Sequence, residues 1–178
     1  MSEPNQPYLV RTERLDLHAV TLDDLDALFA LNTDARTWGH QPEGRHTDPE
    51  TTRAWIERAV AAWDADGLGY WTVRLRATGE VVGSGGAQQH PGGYWNLYYR
   101  LSPARWGHGY ATELARAAQR HADHAAPELP FIAWIHAHNT ASRAVADRLG
   151  LHDYGLRPFP KDGTLTHAYA DREPLLST

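Results

Sequence analysis

The sequence predicts a mixed α/β (α+β) fold with a mostly antiparallel sheet of about seven strands and about four helices. The 178 residues, 42% of them hydrophobic, suffice for one substantial core and are few for two. Apolar residues recur at helical spacing in four segments and at strand spacing in others. Turns separate three consecutive strand-like segments, as in an antiparallel meander. Because no repeat or linker divides the chain, we expect one domain at residues 8–176 after a loose N-terminus at 1–7.

The first half of the chain supplies one predicted strand and two predicted helices. Alternating apolar residues indicate a strand over residues 9–19. A capping pattern at Thr21 begins the first helix. The segment 32–48 contains Gly and Pro and reads as a loop. The second helix begins after the cap residue Asp48 and ends before Gly67.

The second half alternates strands and helices after a meander. Short turns separate the strands of the meander, and a stripe of alanines from Tyr110 onward predicts a helix that packs closely on its neighbours. The predicted elements are strands at 70–76, 80–88 and 94–101, a helix from 110, a strand at 131–136, a helix at 139–149, and strands at 151–159 and 164–172.

Composition and charge exclude several kinds of function. The formal net charge is −5, whereas nucleic-acid binders usually carry clustered Lys and Arg, so we expect no nucleic-acid partner. The absence of cysteine excludes a disulfide framework, a thiolate metal site and a cysteine nucleophile. The N-terminus lacks a secretory pattern, and no stretch reaches the roughly 20 apolar residues of a membrane span, so we expect a cytoplasmic protein without a membrane partner.

The most informative stretch follows a predicted strand and opens a helix. Its glycines allow a tight turn close to a ligand, and the first turn of the helix leaves amide groups that favour a phosphate. Two familiar phosphate-binding loops do not match this stretch. Thr112 stands where a dinucleotide-binding loop needs a third Gly, and the Gly-Lys-Ser/Thr of a P-loop is absent. The alternative is a tight turn without a ligand. The residues expected at the ligand are Arg105, Trp106, Gly107, His108, Gly109, Tyr110, Ala111 and Thr112.

This stretch resembles the pyrophosphate loop of the GNAT superfamily of acyl-CoA-dependent N-acyltransferases, which reads Arg/Gln-x-x-Gly-x-Gly/Ala. Gly109 and Ala111 fit its fourth and sixth positions, and Trp106 stands at the first, where Arg or Gln is more usual. The form Trp-Gly-x-Gly-Tyr-Ala-Thr-Glu is similar to the branch that contains the N-terminal (alanine/serine) acetyltransferases of ribosomal proteins. Further matches to this branch lie at residues 12–15, 69–73, 78–83, 139–142 and 149–151.

The resemblance implies a fold and a reaction. The sheet would be splayed in its middle, with helices on both faces, and the pantetheine arm of acetyl-CoA would lie between the strands at 94–101 and 131–136, which a β-bulge would part. An amine would attack the thioester directly, without an acyl-enzyme and without a metal; another short acyl-CoA stays open as donor. A backbone N–H from Tyr99 to Leu101 is the implied donor to the thioester oxygen. The other implied cofactor contacts are Asn139, Ser142 and Arg143.

Ser142 and His138 are the predicted catalytic residues. Ser142 matches a family position near the thioester sulfur, and we expect its hydroxyl to donate a hydrogen bond to the departing thiolate rather than to titrate. The alternative for Ser142, and equally for Asn139, is a helix N-cap. Asn96 stands where the branch often has a carboxylate base, so His138 is the best candidate for a base and His136 the second.

The amine acceptor is either a protein N-terminus or a small molecule. Trp38, Gln88 and Asn96 are its predicted contacts; Trp38 lies in the loop that borders the acceptor in this family. Two rival interpretations are a non-catalytic acyl-CoA-binding module and a metal pair at His136 and His138. The oligomeric state stays open, although a homodimer is common among such relatives.

Overall fold

A computed structural model describes residues 9–174, which form one eight-stranded sheet and four helices. The predicted loose segment 1–7 and the predicted domain limits, residues 8 and 176, lie outside this range. The elements in chain order are β1 (Leu9–Arg11), β2 (Leu15–Ala19), α1 (Leu25–Thr33), α2 (Pro49–Asp66), β3 (Tyr70–Leu75), β4 (Val81–His90), β5 (Tyr94–Leu101), α3 (Tyr110–Ala125), β6 (Phe131–Ile135), α4 (Thr140–Arg148), β7 (His152–Pro158) and β8 (Leu165–Ala170).

The sheet order is β1-β2-β3-β4-β5-β6-β8-β7. Every neighbouring pair is antiparallel except β5 and β6, which run parallel because α3 returns the chain to the same end of the sheet. The prediction of a mixed, mostly antiparallel fold is therefore confirmed. No helix within residues 9–174 is long and apolar enough to cross a membrane.

The predicted strand over residues 9–19 is in fact two strands. β1 and β2 pair antiparallel, with Leu9 opposite His18. Between them, the Thr12 amide donates to the Leu15 carbonyl at 2.9 Å, and the Leu15 amide donates to the Thr12 hydroxyl at 3.1 Å. A side-chain hydrogen bond thus makes a turn that contains neither Gly nor Pro, which raises the number of strands from the predicted seven to eight.

The helices lie on both faces of the sheet, as expected. α2 begins where predicted, with the Asp48 carboxylate accepting from the Thr51 amide at 2.9 Å, and ends at Gly67, whose φ is +68°. The predicted loop 32–48 contains two short 3-10 turns, at Ala35–Trp38 and Pro42–Gly44. These turns fold back beside β5 and form one wall of the site described below.

The two faces have separate cores. α3 and α4 pack with the side of the sheet that includes Trp71, Trp95 and Phe131, all fully buried. Alanines along α3 are buried as well, so the helix lies close to the strands, as its sequence predicts. α1 and α2 pack on the opposite side, where Tyr70 and Tyr98 lie. A ligand that passes between β5 and β6 can therefore reach both faces.

Candidate active site

The centre of the site is a gap between β5 and β6. Their parallel pairing consists of only two pairs, Trp95 with Phe131 and Asn96 with Ile132, although β5 continues to Leu101. The expected β-bulge is not found at the gap: the register of β4 with β5 is unbroken, and the irregularities lie in the β3–β4 and β7–β8 pairs. The strands part because β5 stays in register with β4 while β6 follows β8.

Backbone groups of β5 face this gap. The Trp95 amide donates to the Pro130 carbonyl on the β6 side, and the Ser102 amide donates to the Val82 carbonyl on the β4 side. Because strand groups alternate with a period of two, the N–H groups of Tyr99 and Leu101 point toward the gap. The sequence prediction placed a thioester-binding donor at these two positions.

A cleft of about 1230 Å³ leads from the gap to the loop before α3. From Gly107 to Thr112, none of the backbone N–H groups has an acceptor among residues 9–174. Gly107 and Gly109 have φ angles of +76° and +81°, which L residues with side chains rarely adopt. The loop therefore presents a run of free amides at a helix N-terminus, which is an arrangement suited to a phosphate chain.

A clamp of distant residues holds this loop. The Glu113 carboxylate accepts from the Arg14 amide and from Arg14 Nε, both at 2.8 Å, and also from the Thr12 hydroxyl. Arg14 Nη1 in turn donates to the His108 carbonyl at 2.8 Å, and its guanidinium lies 4.7 Å from the Tyr110 ring centroid. Sequence reasoning missed this clamp, because residues 12–14 were assigned only to a strand.

We expect Glu113→Gln to weaken coenzyme A binding about fivefold, the effect of losing one partly exposed ion pair. Burial pushes the pKa of the Glu113 carboxyl upward, but the hydrogen bonds from Thr12 and Arg14 hold it below its usual value. The ionised Glu113 carboxylate therefore stabilises the folded protein at pH values above the usual carboxyl pKa, and this stabilisation is lost as the pH falls through the lowered pKa. Calorimetry at neutral pH measures the affinity. Glu50→Gln, which removes an exposed ion pair with Arg53, is the control, and equal affinities in both variants would contradict the role of the clamp.

The other predicted cofactor residues occupy different positions. Arg105 lines the cleft and pairs with Glu80, and the half-exposed Trp106 donates from its indole to the Leu101 carbonyl at 2.9 Å. Arg143 donates to the Tyr169 hydroxyl at 2.9 Å and lines neither the cleft nor the second cavity described below. Several arginines that sequence reasoning did not single out also line the cleft: Arg14, Arg36, Arg116, Arg120 and Arg148.

Asn139 and Ser142 have different roles at the start of α4. The Asn139 side chain accepts from the Ser142 amide at 3.1 Å, so Asn139 is the N-cap and the Ser142 hydroxyl is not needed for capping. The Ser142 hydroxyl instead lies near the Tyr99 hydroxyl. Burial raises the pKa of Tyr99, and the nearby Ser142 hydroxyl offsets this in part, so the phenol keeps its proton at neutral pH.

A second cavity of about 500 Å³ opens on the α1/α2 face and meets the first at six residues that line both, among which Tyr99 and Ser142 carry hydroxyl groups: His40, Tyr99, Arg100, Asn139, Ser142 and Val145. Two of the three predicted acceptor contacts, Trp38 and Asn96, line it, whereas the third, Gln88, lines neither cavity. Trp38 is held by a 2.7 Å hydrogen bond from its indole to the Asn32 carbonyl. Burial raises the pKa of the Tyr70 hydroxyl, and the nearby Asn96 side chain offsets part of that rise.

Three histidines lie near the junction of the cavities. His138 lines the cleft and His136 lines the second cavity, with 5.5 Å between their ring centroids. His40 lines both, and its ring lies 6.2 Å from that of His136. Burial, reinforced by the charge of Arg100, lowers the pKa of His40 to about 4, so it is neutral at pH 7. Within residues 9–174, no group of three or more His, Cys, Asp or Glu is arranged to hold a metal ion.

The splayed sheet and the amide-lined loop at a helix N-terminus define an acetyltransferase of the GNAT class. The family model "Acetyltransferase (GNAT) domain" matches residues 14–152. The chain therefore belongs to the GNAT acetyltransferase family and is a GNAT-type N-acetyltransferase, as the loop motif predicts.

The chain is also similar to individual proteins. The uncharacterized protein YkkB of Bacillus subtilis is 27% identical over 147 residues, which cover 79% of this chain and 83% of YkkB. A crystal structure of an acetyltransferase from Agrobacterium tumefaciens has a TM-score of 0.76 at 26% identity and covers 97% of this chain and 96% of its own. RimL, a ribosomal L7/L12 alpha-N-protein acetyltransferase solved with coenzyme A, has a TM-score of 0.76 at 20% identity, with 92% and 97% covered, and this likeness shows the fold alone.

Proposed function

We propose that this protein transfers an acetyl group from acetyl-CoA directly to a primary amine, with both substrates bound together. The observation that carries the proposal is the meeting of two cavities at the hydroxyl groups of Tyr99 and Ser142. One cavity has the free amides of a phosphate loop, and the other opens on the opposite face of the sheet. Two substrates entering from opposite faces would meet at this pair.

The residues of the cleft suit the parts of acetyl-CoA. The amides from Gly107 to Thr112 would bind the diphosphate, and Arg116 and Arg120, one helical turn apart, would bind further phosphate charge. The backbone edge of β5 at Tyr99 and Leu101 would pair with the amide-containing arm and donate to the thioester oxygen as it gains negative charge. Such a preorganised donor typically contributes roughly 3 kcal/mol to the rate of acyl transfer.

The proton balance involves the hydroxyl pair and a histidine. When the new amide bond forms and the carbon–sulfur bond breaks, the departing thiolate would accept a hydrogen bond from Ser142, with the Tyr99 hydroxyl behind it. The amine loses a proton, for which His138 and then His136 remain the candidate acceptors, since a pKa of about 4 makes His40 a weak base. An α-amine of pKa about 8 is already roughly one tenth neutral at pH 7, so it needs such a base less than a lysine does.

Thiol release from acetyl-CoA tests the proposal. The purified full chain is mixed with acetyl-CoA and a panel of primary amines, including a peptide N-terminus and small amines, and free thiol is followed with time. Amine-dependent release supports transfer. Tight coenzyme A binding without thiol release in the presence of any amine would favour the rival interpretation, a non-catalytic acyl-CoA-binding module. Absence of coenzyme A binding would overturn both interpretations.

The extent of the domain and its assembly are separate proposals. The continuous sheet from Leu9 to Ala170 supports a single acyltransferase domain at residues 8–176. Three expectations stay predictions: a homodimer, the choice among short acyl-CoA donors, and a cytoplasmic location. Sedimentation of the full chain measures the first of these, and thiol release from a series of acyl-CoA donors measures the second.

A further inference from the structure

The second cavity contains a buried cation without a counterion. Arg100 lines it, also lines the cleft where the two cavities join, and is only 6% exposed. Its guanidinium donates to the Thr37 carbonyl and, at 3.2 Å, to the Tyr98 hydroxyl, and it lies 3.3 Å from the Trp38 ring centroid. No carboxylate within residues 9–174 lies within 4 Å of it. A buried charge without a charged partner is costly, and buried charges in proteins are usually paired, so an anion that reached Arg100 would be strongly favoured.

The rest of the cavity adds positive charge and no negative charge. Its lining contains no Asp or Glu among the described residues, while Arg58 and Lys161 stand exposed at its mouth. Neither forms an ion pair with a carboxylate of residues 9–174. The nearest acidic residues, Glu43, Asp48 and Asp162, are exposed and lie outside the lining.

The histidines of the cavity do not change this balance. Burial, and then the charge of Arg100, lowers the pKa values of both His40 and His46, so these two rings are neutral at pH 7. A backbone hydrogen bond, and then the charges of Lys161 and His136, lower the pKa of the exposed Asp162, so part of that positive charge is balanced there. The buried charge of Arg100 is therefore the main one that an acceptor inside the cavity would meet.

The walls suit a flat, partly apolar ligand with a polar group. Thr166 on β8 is only 2% exposed, lines the cavity, and has no hydrogen-bond partner for its hydroxyl within residues 9–174. The aromatic walls are Trp38, Trp55, Tyr98, Trp134 and Phe159.

We propose that the amine acceptor carries an anionic group, a carboxylate or a phosphate, that binds Arg100 while a flat body packs between the aromatic walls. This inference rests on the proposed function and names the acceptor class of that same site. Arg100, Tyr99 and Ser142 all line both cavities, so an anion at Arg100 and an amine at the Tyr99–Ser142 junction would belong to one compact molecule. In the reaction the amine nitrogen forms the amide bond, the carbon–sulfur bond breaks, and the proton lost by the amine ends on the thiol of coenzyme A.

The same charges disfavour polycationic acceptors. Positive charge near a bound amine favours its neutral form, which is the nucleophile, and raises the cost of placing further ammonium groups in the cavity. A polyamine brings two or more such groups and no anion. The positive cavity would therefore both select an acidic amine and help to activate it, which lessens the need for a strong base.

The experiment uses amines in matched pairs with the full chain saturated with acetyl-CoA. Phenylalanine is compared with phenethylamine, which lacks the carboxylate, and pyridoxamine 5′-phosphate with pyridoxamine; spermidine is the cationic probe. We expect at least one acidic member to exceed its neutral partner tenfold or more in kcat/KM, and spermidine to be the poorest substrate. Preference in the first pair identifies a carboxylate as the anion, and preference in the second identifies a phosphate. Equal or better use of the neutral amines or of spermidine would overturn the proposal.

Variants connect the preference to the cavity. Arg100→Met should abolish the acid preference and lower kcat/KM for the acidic amine by at least 30-fold at saturating acetyl-CoA; because Arg100 also lines the cleft, the coenzyme A affinity of the variant is measured separately. If that variant does not fold, Arg58→Gln combined with Lys161→Gln, both at exposed positions, should reduce the preference severalfold. Arg53→Gln, on the outside of α2, is the matched control and should leave the preference unchanged. A preference that survives in the folded Arg100→Met variant, or in the double variant where Arg100→Met does not fold, would overturn the proposal.

Binding separates this proposal from the proposed function. Calorimetry of the acidic probes is performed with the coenzyme A complex, which needs no turnover. Acid-selective binding without transfer would support the anion site and contradict the transferase, whereas transfer to neutral amines alone would do the reverse.

Discussion

Gly109→Val should lower the affinity for coenzyme A on the order of 100-fold. Gly109 precedes α3 with a φ of +81°, which a β-branched residue does not adopt without strain. A side chain there also keeps the amides of the loop away from a phosphate. The loss of one or two charge-assisted hydrogen bonds, each worth about 1.5–3 kcal/mol, accounts for the expected change. Calorimetric titration with coenzyme A measures it.

Gly79→Val provides the matched control for this substitution. Gly79 lies in the turn between β3 and β4 with a φ of +73°, and an added Cβ would meet nothing within 4 Å. Both variants should lose about 1–2 kcal/mol of stability from the left-handed backbone. Only the Gly109 variant should lose affinity. Comparable affinities in the two variants, each folded by circular dichroism, would show that the loop does not bind the diphosphate.

Ser142→Ala should slow turnover about 10- to 100-fold and leave the affinity for coenzyme A nearly unchanged. The Ser142 hydroxyl lies with that of Tyr99 where the two cavities meet, and a hydrogen bond to a charged group such as a thiolate contributes about 1.5–3 kcal/mol. Steady-state rates of thiol release under saturating acetyl-CoA measure the effect. An undiminished rate would show that the hydroxyl takes no part in the reaction.

Two further variants show which hydroxyl and which structural role account for that result. Asn139→Ala removes the cap of α4 and should cost about 1 kcal/mol of stability, whereas Ser142→Ala should leave the melting temperature nearly unchanged. Tyr99→Phe keeps the ring and removes the other hydroxyl of the pair. A loss of turnover in Tyr99→Phe but not in Ser142→Ala would identify the phenol as the donor to the sulfur.

Much of the fold follows from local patterns, and its exceptions have identifiable causes. Helix α2 was predictable because its cap Asp48 and its end at Gly67 act within a few residues of the chain. The turn at residues 12–14 was not, because it depends on a threonine hydroxyl and on a carboxylate 101 positions away. The GNAT loop was recognised from its motif, whereas the clamp from Glu113 to Arg14 exists only through long-range contact.

The candidate site shows the same difference between what local sequence patterns predict and what long-range contacts decide. Ser142, Trp38 and Asn96 lie at cavities, but the sequence placed Gln88 and Arg143 beside them, and the structure puts neither in a cavity lining. A strand pattern tells which residues share a face, not which neighbours an adjacent segment brings. No pattern in the sequence indicated Arg100 as a site residue, because the arginines of a strand that alternates polar and apolar residues are usually exposed.

The sequence by itself determined most of the elements, the glycine-containing loop before α3 and the family, because periodicity, capping and turn chemistry act over a few neighbouring residues. Only the tertiary structure decided that the cleft and the second cavity meet at Tyr99 and Ser142, and that the second cavity holds a buried guanidinium and no carboxylate within the described chain. The physical reason is that burial and charge balance depend on segments far apart in the chain. Here those segments are the turns at residues 35–44, β5, β8 and the start of α4.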